Sequence, residues 1–190
     1  MTRKTDNEAP FVNPPFVNRR AALAGSAGLV AAAATAAATP LAAQAHRPSR
    51  EDLNKWLTRA FIREVFNGHR PDLAARFVDS EMIWHGGSLG TVVGVTNFTG
   101  LLSSIIGALP DLVATEEDIV AEGDTVVMRL TVEGTQVGPL LGIPATGRRV
   151  RWDAVDVYRF SNGKIVEEWA ADDTTAILYQ LGQYTPPWLA

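Results

Sequence analysis

The sequence predicts an α+β domain in which helices cover one face of a curved sheet. Helical periodicity fills the first part of the domain, and alternating strand patterns fill most of the remainder. A length of 190 residues suits one such domain with an N-terminal extension. No internal repeat is visible, so repeat architectures are not expected.

Helices are predicted before most of the strands. Apolar side chains recur at three- and four-residue spacing until Asn67 and Gly68 end the first helix. Pro71 precedes a short second helix, as proline often does at a helix start. The predicted helices cover residues 51–66, 72–77 and 95–109, with a short strand over 82–85 before the third.

Antiparallel strands are predicted in the second half of the domain. They cover residues 112–121, 125–137, 149–160 and 164–171, and a short helix follows over 174–181. Asn162-Gly163 is a strong hairpin signal between the last two strands. Helices followed by antiparallel strands are typical of the α+β class.

The first 45 residues have a different composition from the domain. Arg19 and Arg20 precede twenty-five uncharged residues, which end in Ala43-Gln44-Ala45. This pattern is typical of a secretory signal with cleavage after Ala45, and the paired arginines resemble a twin-arginine export signal. We therefore expect the export machinery to recognise Arg19 and Arg20. A linker over 46–50 and a periplasmic or secreted domain would follow.

An uncleaved membrane anchor and a disordered alanine-rich extension are the two alternatives for this segment. Pro40 interrupts the apolar run, and alanine is a weak membrane residue, so no stable membrane span is expected. A disordered extension would leave the paired arginines and the Ala43-Gln44-Ala45 end without an explanation.

Charge and cysteine content exclude several functions. The chain has a net charge of −4, but the residues after Ala45 hold 13 basic and 19 acidic side chains, which gives the domain −6. An acidic domain argues against nucleic-acid binding, which usually requires a basic face. The absence of cysteine excludes disulfides, a thiol nucleophile and zinc sites built on sulfur.

A set of short motifs runs through residues 51–182. They are NKWLTRAFIREVFN at 54–67, LPDL at 109–112, AEGD at 121–124, LGIPATGRRV at 141–150, DVYRF at 156–160, NGKIVEEW at 162–169 and QLG at 180–182. Together they resemble the SnoaL-like polyketide cyclase family of the nuclear transport factor 2-like superfamily. Residues 183–190 lie beyond the resemblance and are expected to be a tail.

The resemblance implies a cone-shaped α+β barrel, often dimeric, with a deep apolar pocket between helices and sheet. It also implies a small hydrophobic carbonyl compound as ligand. The family's studied cyclases close a ring by aldol chemistry without a cofactor and use an aspartate as general acid/base. Isomerases, hydrolases and non-catalytic binding or dimerisation modules share this fold, so the fold alone does not establish the function.

The sequence departs from the family at its catalytic position. Alignment through the hairpin puts the family's aspartate on Ala170 and its nearby pocket histidine on Asp156. Because alanine cannot transfer a proton, the aldol mechanism does not carry over unchanged. A non-catalytic binding module is therefore the alternative to an enzyme.

Asp156 is the first candidate for proton transfer, and Glu168 is the catalytic-site residue expected to raise its pKa. A three-residue loop over 161–163 would pair Phe160 with Lys164 and set Asp156 opposite Glu168. Two facing carboxyls should raise the pKa of one of them, as acid/base catalysis near neutral pH requires. A two-residue loop would instead pair Asp156 with Trp169.

Asp156 also has a structural interpretation. It could accept hydrogen bonds from Arg129, Arg151 or Tyr158 and only support the barrel. The two interpretations remain open at the level of sequence.

His85 is the other catalytic candidate. It follows Trp84 at the end of the first predicted strand, where an imidazole could exchange protons near pH 7. The alternative is a rim histidine bonded to a backbone carbonyl. Neither His85 nor His69 has a partner at metal-ligand spacing, so no metal site is expected. The side chains expected to line the pocket are Trp84, Phe98, Trp152, Tyr158, Phe160 and Ala170.

Overall fold

The computed structural model describes residues 47–189, which lie within one compact unit, Ala45–Ala190. The predicted targeting segment, with Arg19, Arg20 and the cleavage site after Ala45, lies outside the described residues.

The helices form where the periodicity predicts them, with one change. Ser49 caps the first helix, since its hydroxyl accepts from the Asp52 amide at 3.0 Å while the Asp52 carboxylate accepts from the Ser49 amide at 3.2 Å. The run predicted as one helix over 51–66 ends in a π-helical turn. The helices are α1 (Arg50–Phe61), the π-helical turn (Ile62–Phe66), α2 (Val95–Ala108) and α3 (Thr174–Gln180), with short 3₁₀ helices at Pro71–Arg76, Gly87–Leu89 and Pro187–Leu189.

Six strands form one curved sheet that does not close on itself. They are β1 (Val78–His85), β2 (Thr91–Val93), β3 (Val113–Glu122), β4 (Thr125–Thr135), β5 (Arg149–Ser161) and β6 (Lys164–Asp172), in the spatial order β2-β1-β6-β5-β4-β3. All neighbours are antiparallel except β1 and β6, which are parallel. Strand β2 was not predicted because three residues are too few to show an alternation. The predicted α+β class and the curved sheet are confirmed.

The core lies between the helices and the inner face of the sheet. Strand β4 alternates as predicted, with Val126, Met128 and Leu130 buried. The Phe61 ring of α1 lies 6.3 Å from the Phe98 ring of α2 and 6.3 Å from the Tyr158 ring of β5. Burial of such aromatic side chains stabilises the contact between the helices and the sheet.

The β5–β6 hairpin has a two-residue turn. Asn162 and Gly163 have φ angles of 50° and 74°, the left-handed conformation that a type I′ turn requires and that Asn-Gly favours. Ser161 therefore pairs with Lys164, and the predicted three-residue loop is wrong.

A β-bulge at Val166 then changes the register. Phe160 pairs with Ile165 and Arg159 with Glu167, so Val166 has no partner on β5. The extra residue lets Ile165 and Glu168 both face the core, although they are three residues apart. As a result Asp156 lies opposite Ala170, and both registers considered for the hairpin are wrong.

Candidate functional site: an acidic cavity under the helices

A cavity opens between α2, the π-helical turn and the inner face of the sheet. Its enclosed volume is about 80 Å³. Most of its wall is apolar, and its aromatic side chains are Phe66, Trp84, Phe98 and Trp152. A mostly apolar cavity with a few polar groups is typical of a small-molecule site.

Three carboxyl side chains line this cavity, and we call Asp156, Glu168 and Asp172 the cavity carboxyls. They come from two neighbouring strands. The inward-facing pairs are Ala154 with Asp172, Asp156 with Ala170, and Tyr158 with Glu168. The cavity carboxyls therefore alternate between the strands, and each lies diagonally across from the next, where neighbours are typically about 7–8 Å apart.

The cavity carboxyls differ in their hydrogen bonds. The Tyr158 hydroxyl donates to Asp156 Oδ2 at 2.9 Å, and the Trp152 indole N–H donates to Asp172 Oδ1 at 2.6 Å. Glu168 is only 2% exposed, yet its Oε2 has no hydrogen-bond partner among residues 47–189. A buried carboxyl oxygen without a partner is costly for stability, so this atom is a candidate for contact with a ligand.

Burial dominates the electrostatics of the cavity. It raises the pKa of Asp156 to about 7, with the charge of Asp172 acting in the same direction and the Tyr158 hydrogen bond against it. Burial, then the charges of Asp156 and Asp172, hold the pKa of Glu168 well above its usual range, while the Trp84 side chain acts in the opposite direction. Burial also raises the pKa of Asp172, and the Trp152 hydrogen bond opposes this. Near neutral pH, Asp156 can therefore accept a proton while Glu168 still carries one.

Most of the candidate residues lie at this cavity. Trp84, Phe98, Trp152, Asp156, Glu168 and Ala170 all line it. Tyr158 and Phe160 face inward but do not line the cavity, because they are buried in the core nearer the hairpin end. Tyr158 still contacts the site through its hydrogen bond to Asp156. Arg129 and Arg151 make no hydrogen bond to Asp156 among the described residues.

The structure does not bring His85 to the cavity. Trp84 faces inward, so the alternation of β1 directs His85 to the outer face of the sheet. Its Nε2 lies 2.9 Å from Glu167 Oε1, and its ring stacks on Trp169 with centroids 5.2 Å apart. The partner of His85 is thus a carboxylate rather than a backbone carbonyl.

Asp172 is the site residue that the sequence reasoning missed. The last strand was predicted to end at residue 171, one position too early. The signal was present, because the alternation that puts Glu168 and Ala170 on the inner face also puts Asp172 there.

Residues 47–189 contain neither a metal-binding cluster nor a membrane-spanning helix. No cluster of three or more histidine, cysteine, aspartate or glutamate side chains has a geometry that could hold a metal ion. Within the same residues, no helix has the length and apolar character needed to cross a bilayer.

The sequence matches a known family over most of the domain. The model of the family described as SnoaL-like polyketide cyclase matches residues 57–181. No curated protein matches the sequence significantly.

Several solved structures have the same fold. AclR from Streptomyces galilaeus, a proposed hydroxylase, is 27% identical, with a TM-score of 0.63 over 70% of this chain and 97% of its own. IdmH from Streptomyces antibioticus, a proposed polyketide cyclase, is 26% identical, with a TM-score of 0.59 over 68% of this chain and 98% of its own. A proposed SnoaL-like polyketide cyclase from Jannaschia sp. CCS1 is 22% identical, with a TM-score of 0.67 over 74% of this chain and 98% of its own. At this identity the likeness supports the fold alone.

Proposed function

The chain belongs to the SnoaL-like polyketide cyclase family, and we propose that it binds a small hydrophobic carbonyl compound in the cavity and moves protons on it without a cofactor. The observation that carries the proposal is the pair Asp156 and Glu168, two buried carboxyls in an otherwise mostly apolar cavity. Their pKa values are raised to different extents, so one can act as base while the other acts as acid.

The chemistry proposed is proton abstraction beside a carbonyl group. The Asp156 carboxylate takes a proton from the α carbon, and the C–H electron pair forms a carbon–carbon double bond. The carbonyl oxygen accepts the proton of Glu168, which gives an enol. If the compound carries a β,γ double bond, Asp156 gives its proton to the γ carbon while the enol O–H returns its proton to Glu168, which completes an isomerisation. In a ring closure the enol carbon attacks a second carbonyl, whose oxygen takes the proton of Asp156, and the enol O–H again returns its proton to Glu168.

Ala170 is compatible with this assignment. Family resemblance puts the catalytic aspartate of the studied cyclases at this position, and Asp156 lies directly opposite it on β5. Side chains that face each other in this way typically have Cβ atoms about 4.5–5.5 Å apart. Asp156 can therefore supply a carboxylate to the same part of the cavity from the neighbouring strand.

The test uses 2-tetralone as a probe, because its α protons exchange with D₂O through the enol. The protein should accelerate this exchange in ¹H NMR spectra, and Asp156→Asn should slow it by about 10²–10⁴-fold, the usual contribution of a general base. Asp153→Asn is the matched control, since Asp153 is an exposed carboxyl on the other face of the same strand.

The pH profile provides a second readout. The exchange rate should rise as pH increases towards about 7, because Asp156 must be ionised to act as base. It should fall at higher pH, where Glu168 loses the proton it donates. If 2-tetralone binds but exchanges no faster than in buffer, the alternative of a non-catalytic binding module, favoured by Ala170, replaces the enzyme.

Export is proposed from the N-terminal sequence. Arg19, Arg20 and the uncharged run that ends at Ala45 support a twin-arginine signal and a periplasmic or secreted product. In a bacterium with this pathway, the exported protein should begin at His46 by mass spectrometry. Replacement of both arginines by lysine should retain it in the cytoplasm, while Arg3→Lys should not.

A homodimer is proposed as the assembly. Exposed apolar side chains on the outer face of the sheet, such as Val155 and Trp169, support it. Sedimentation should give a dimer mass, and Val155→Asp should reduce the association. Val93→Asp, an equal change at an exposed residue of the edge strand β2, should leave it intact. A monomer for the unaltered chain would contradict the proposal.

A further inference from the structure

The cavity has an unbalanced charge. It is lined by three carboxyls, and no lysine, arginine or histidine among residues 47–189 lines it. Buried carboxyls are normally paired with a cation or hydrogen-bonded to several donors. Here the only side-chain hydrogen-bond donors to Asp156 and Asp172 among these residues are Tyr158 and Trp152, one for each.

Glu168 provides an independent observation that points to a ligand. Its side chain lines the cavity, is 2% exposed, and leaves Oε2 without a hydrogen-bond partner among the described residues. A carbonyl oxygen of the ligand would satisfy the protonated form of this carboxyl. A carbonyl oxygen would not compensate the negative charge of Asp156 or Asp172.

Asp172 is the cavity carboxyl best suited to remain ionised. It is less buried than Asp156 and Glu168, and the Trp152 N–H stabilises its carboxylate. It forms no ion pair with any of residues 47–189. Its negative charge raises the pKa of both Asp156 and Glu168. A cation bound beside Asp172 would offset this effect.

We propose that the carbonyl compound bound by the cavity also carries a protonated amine, for which Asp172 is the counter-ion. This inference rests on the proposed function, because it adds the amine to the carbonyl ligand assigned there. Asp172 and Glu168 are four residues apart on β6, which is about 13 Å along a strand, and Asp156 lies between them on β5. The amine and the carbonyl group therefore occupy different parts of the cavity.

The walls of the cavity suit such a ligand. Trp84, Trp152, Phe66 and Phe98 provide aromatic surface, which attracts an organic ammonium group as well as an apolar skeleton. Ala154 lies opposite Asp172 in the β5–β6 ladder and also lines the cavity, so only a methyl group faces the carboxylate there.

Two ketones of the same shape test the amine directly. The first is 4-(aminomethyl)acetophenone, which is a cation at pH 7, and the second is 4-ethylacetophenone, in which a methyl group replaces the ammonium. Calorimetry should show at least about tenfold tighter binding of the cation. The cation should also release protons when it binds, because a positive charge favours the ionised form of the cavity carboxyls.

Asp172→Asn should abolish the preference for the cation, so that the two ketones bind the variant with equal affinity. Asparagine can still accept the Trp152 hydrogen bond, so the shape of the cavity is retained. Asp153→Asn removes the same charge from the outer face and should keep the preference.

Each outcome separates the two proposals. Equal binding of the two ketones, or a preference that survives Asp172→Asn, would overturn the amine subsite and leave the proton-transfer function in place. A preference for the cation with no acceleration of 2-tetralone exchange would support the subsite and overturn the acid/base function. Failure of both ketones to bind would contradict both proposals.

Discussion

Glu167 and Glu168 are consecutive residues of β6 with opposite environments. Glu167 faces outward, where Arg159 Nε donates to its Oε2 at 2.9 Å and His85 Nε2 lies 2.9 Å from its Oε1. The hydrogen bond from Arg159, and then that with His85, lower the pKa of Glu167. Glu168 faces the cavity, where burial raises its pKa well above the usual range.

The difference shows that the face of the strand, rather than the residue type, decides what each carboxyl can do. On the outer face a carboxylate is neutralised by cations of the same chain, which favours a permanently ionised group. On the inner face the cavity carboxyls have no such partners among residues 47–189, which makes them protonatable near neutral pH. The outer face is therefore built for a fixed charge, and the inner face is suited to proton exchange.

The largest expected effect is on the pH dependence of stability at Asp156. Its folded-state pKa is raised from 3.8 to about 7, so the unfolded chain loses this proton at lower pH than the folded protein does. The contribution of Asp156 to stability should therefore be fully present below about pH 4 and be lost as pH rises from 4 to about 7. A shift of this size corresponds to at most roughly 4 kcal/mol in the free energy of unfolding.

Asp156→Asn should remove this loss, because the amide does not ionise. The variant should resemble the unaltered protein near pH 4 and be more stable than it at pH 8. Urea denaturation at both pH values measures the difference. A variant that is destabilised equally at pH 4 and pH 8 would show that Asp156 acts through structure rather than charge.

The sequence predicts only part of the arrangement of side chains on the inner face of the sheet. Side chains on a strand alternate between its two faces unless a bulge intervenes. This alternation predicts that Trp152, Ala154 and Asp156 share a face. It also predicts the burial pattern of β4. The bulge at Val166 carries no sequence signal of its own, since valine is an ordinary strand residue. The two-residue turn moves the partner of Asp156 from the predicted Glu168 to Trp169, and the bulge moves it one residue further, to Ala170.

A smaller effect is expected on the outer face at Glu167, with the opposite sign. The pKa of Glu167 is lower in the folded protein than in the unfolded chain. Its contribution to stability is therefore present above the pKa that Glu167 has in the unfolded chain, and is lost as pH falls through its folded-state pKa. Glu167→Gln should cost up to about 1 kcal/mol at pH 7, as a partly exposed ion pair does, and nothing near pH 2. Urea denaturation at both pH values measures it.

Arg159→Gln is the matched change on the other side of this ion pair and should give the same loss at pH 7. A Glu167→Gln variant that gains stability at pH 7 would contradict the contrast between the two faces, because it would mean that the outer carboxylate is also uncompensated.

The position of His85 could not be predicted because the sequence shows alternation without showing which residue faces inward. Trp84 and His85 are both plausible pocket residues, and the short predicted strand over 82–85 contained too few positions to fix the face. The full strand begins at Val78, and its buried residues Met82 and Trp84 settle the phase.

The smallest effect is expected at His85 itself. Its ring stacks on Trp169 and its Nε2 reaches Glu167, so every contact identified for it lies on the face of the sheet opposite the cavity. His85→Gln should leave the rate of 2-tetralone exchange within about twofold of the unaltered protein, since general acid/base groups act only within hydrogen-bond reach of the proton they transfer. The same NMR experiment measures it. A tenfold loss would break the separation of the two faces, because it would require the outer network of His85, Glu167 and Arg159 to control Glu168 through the backbone of β6.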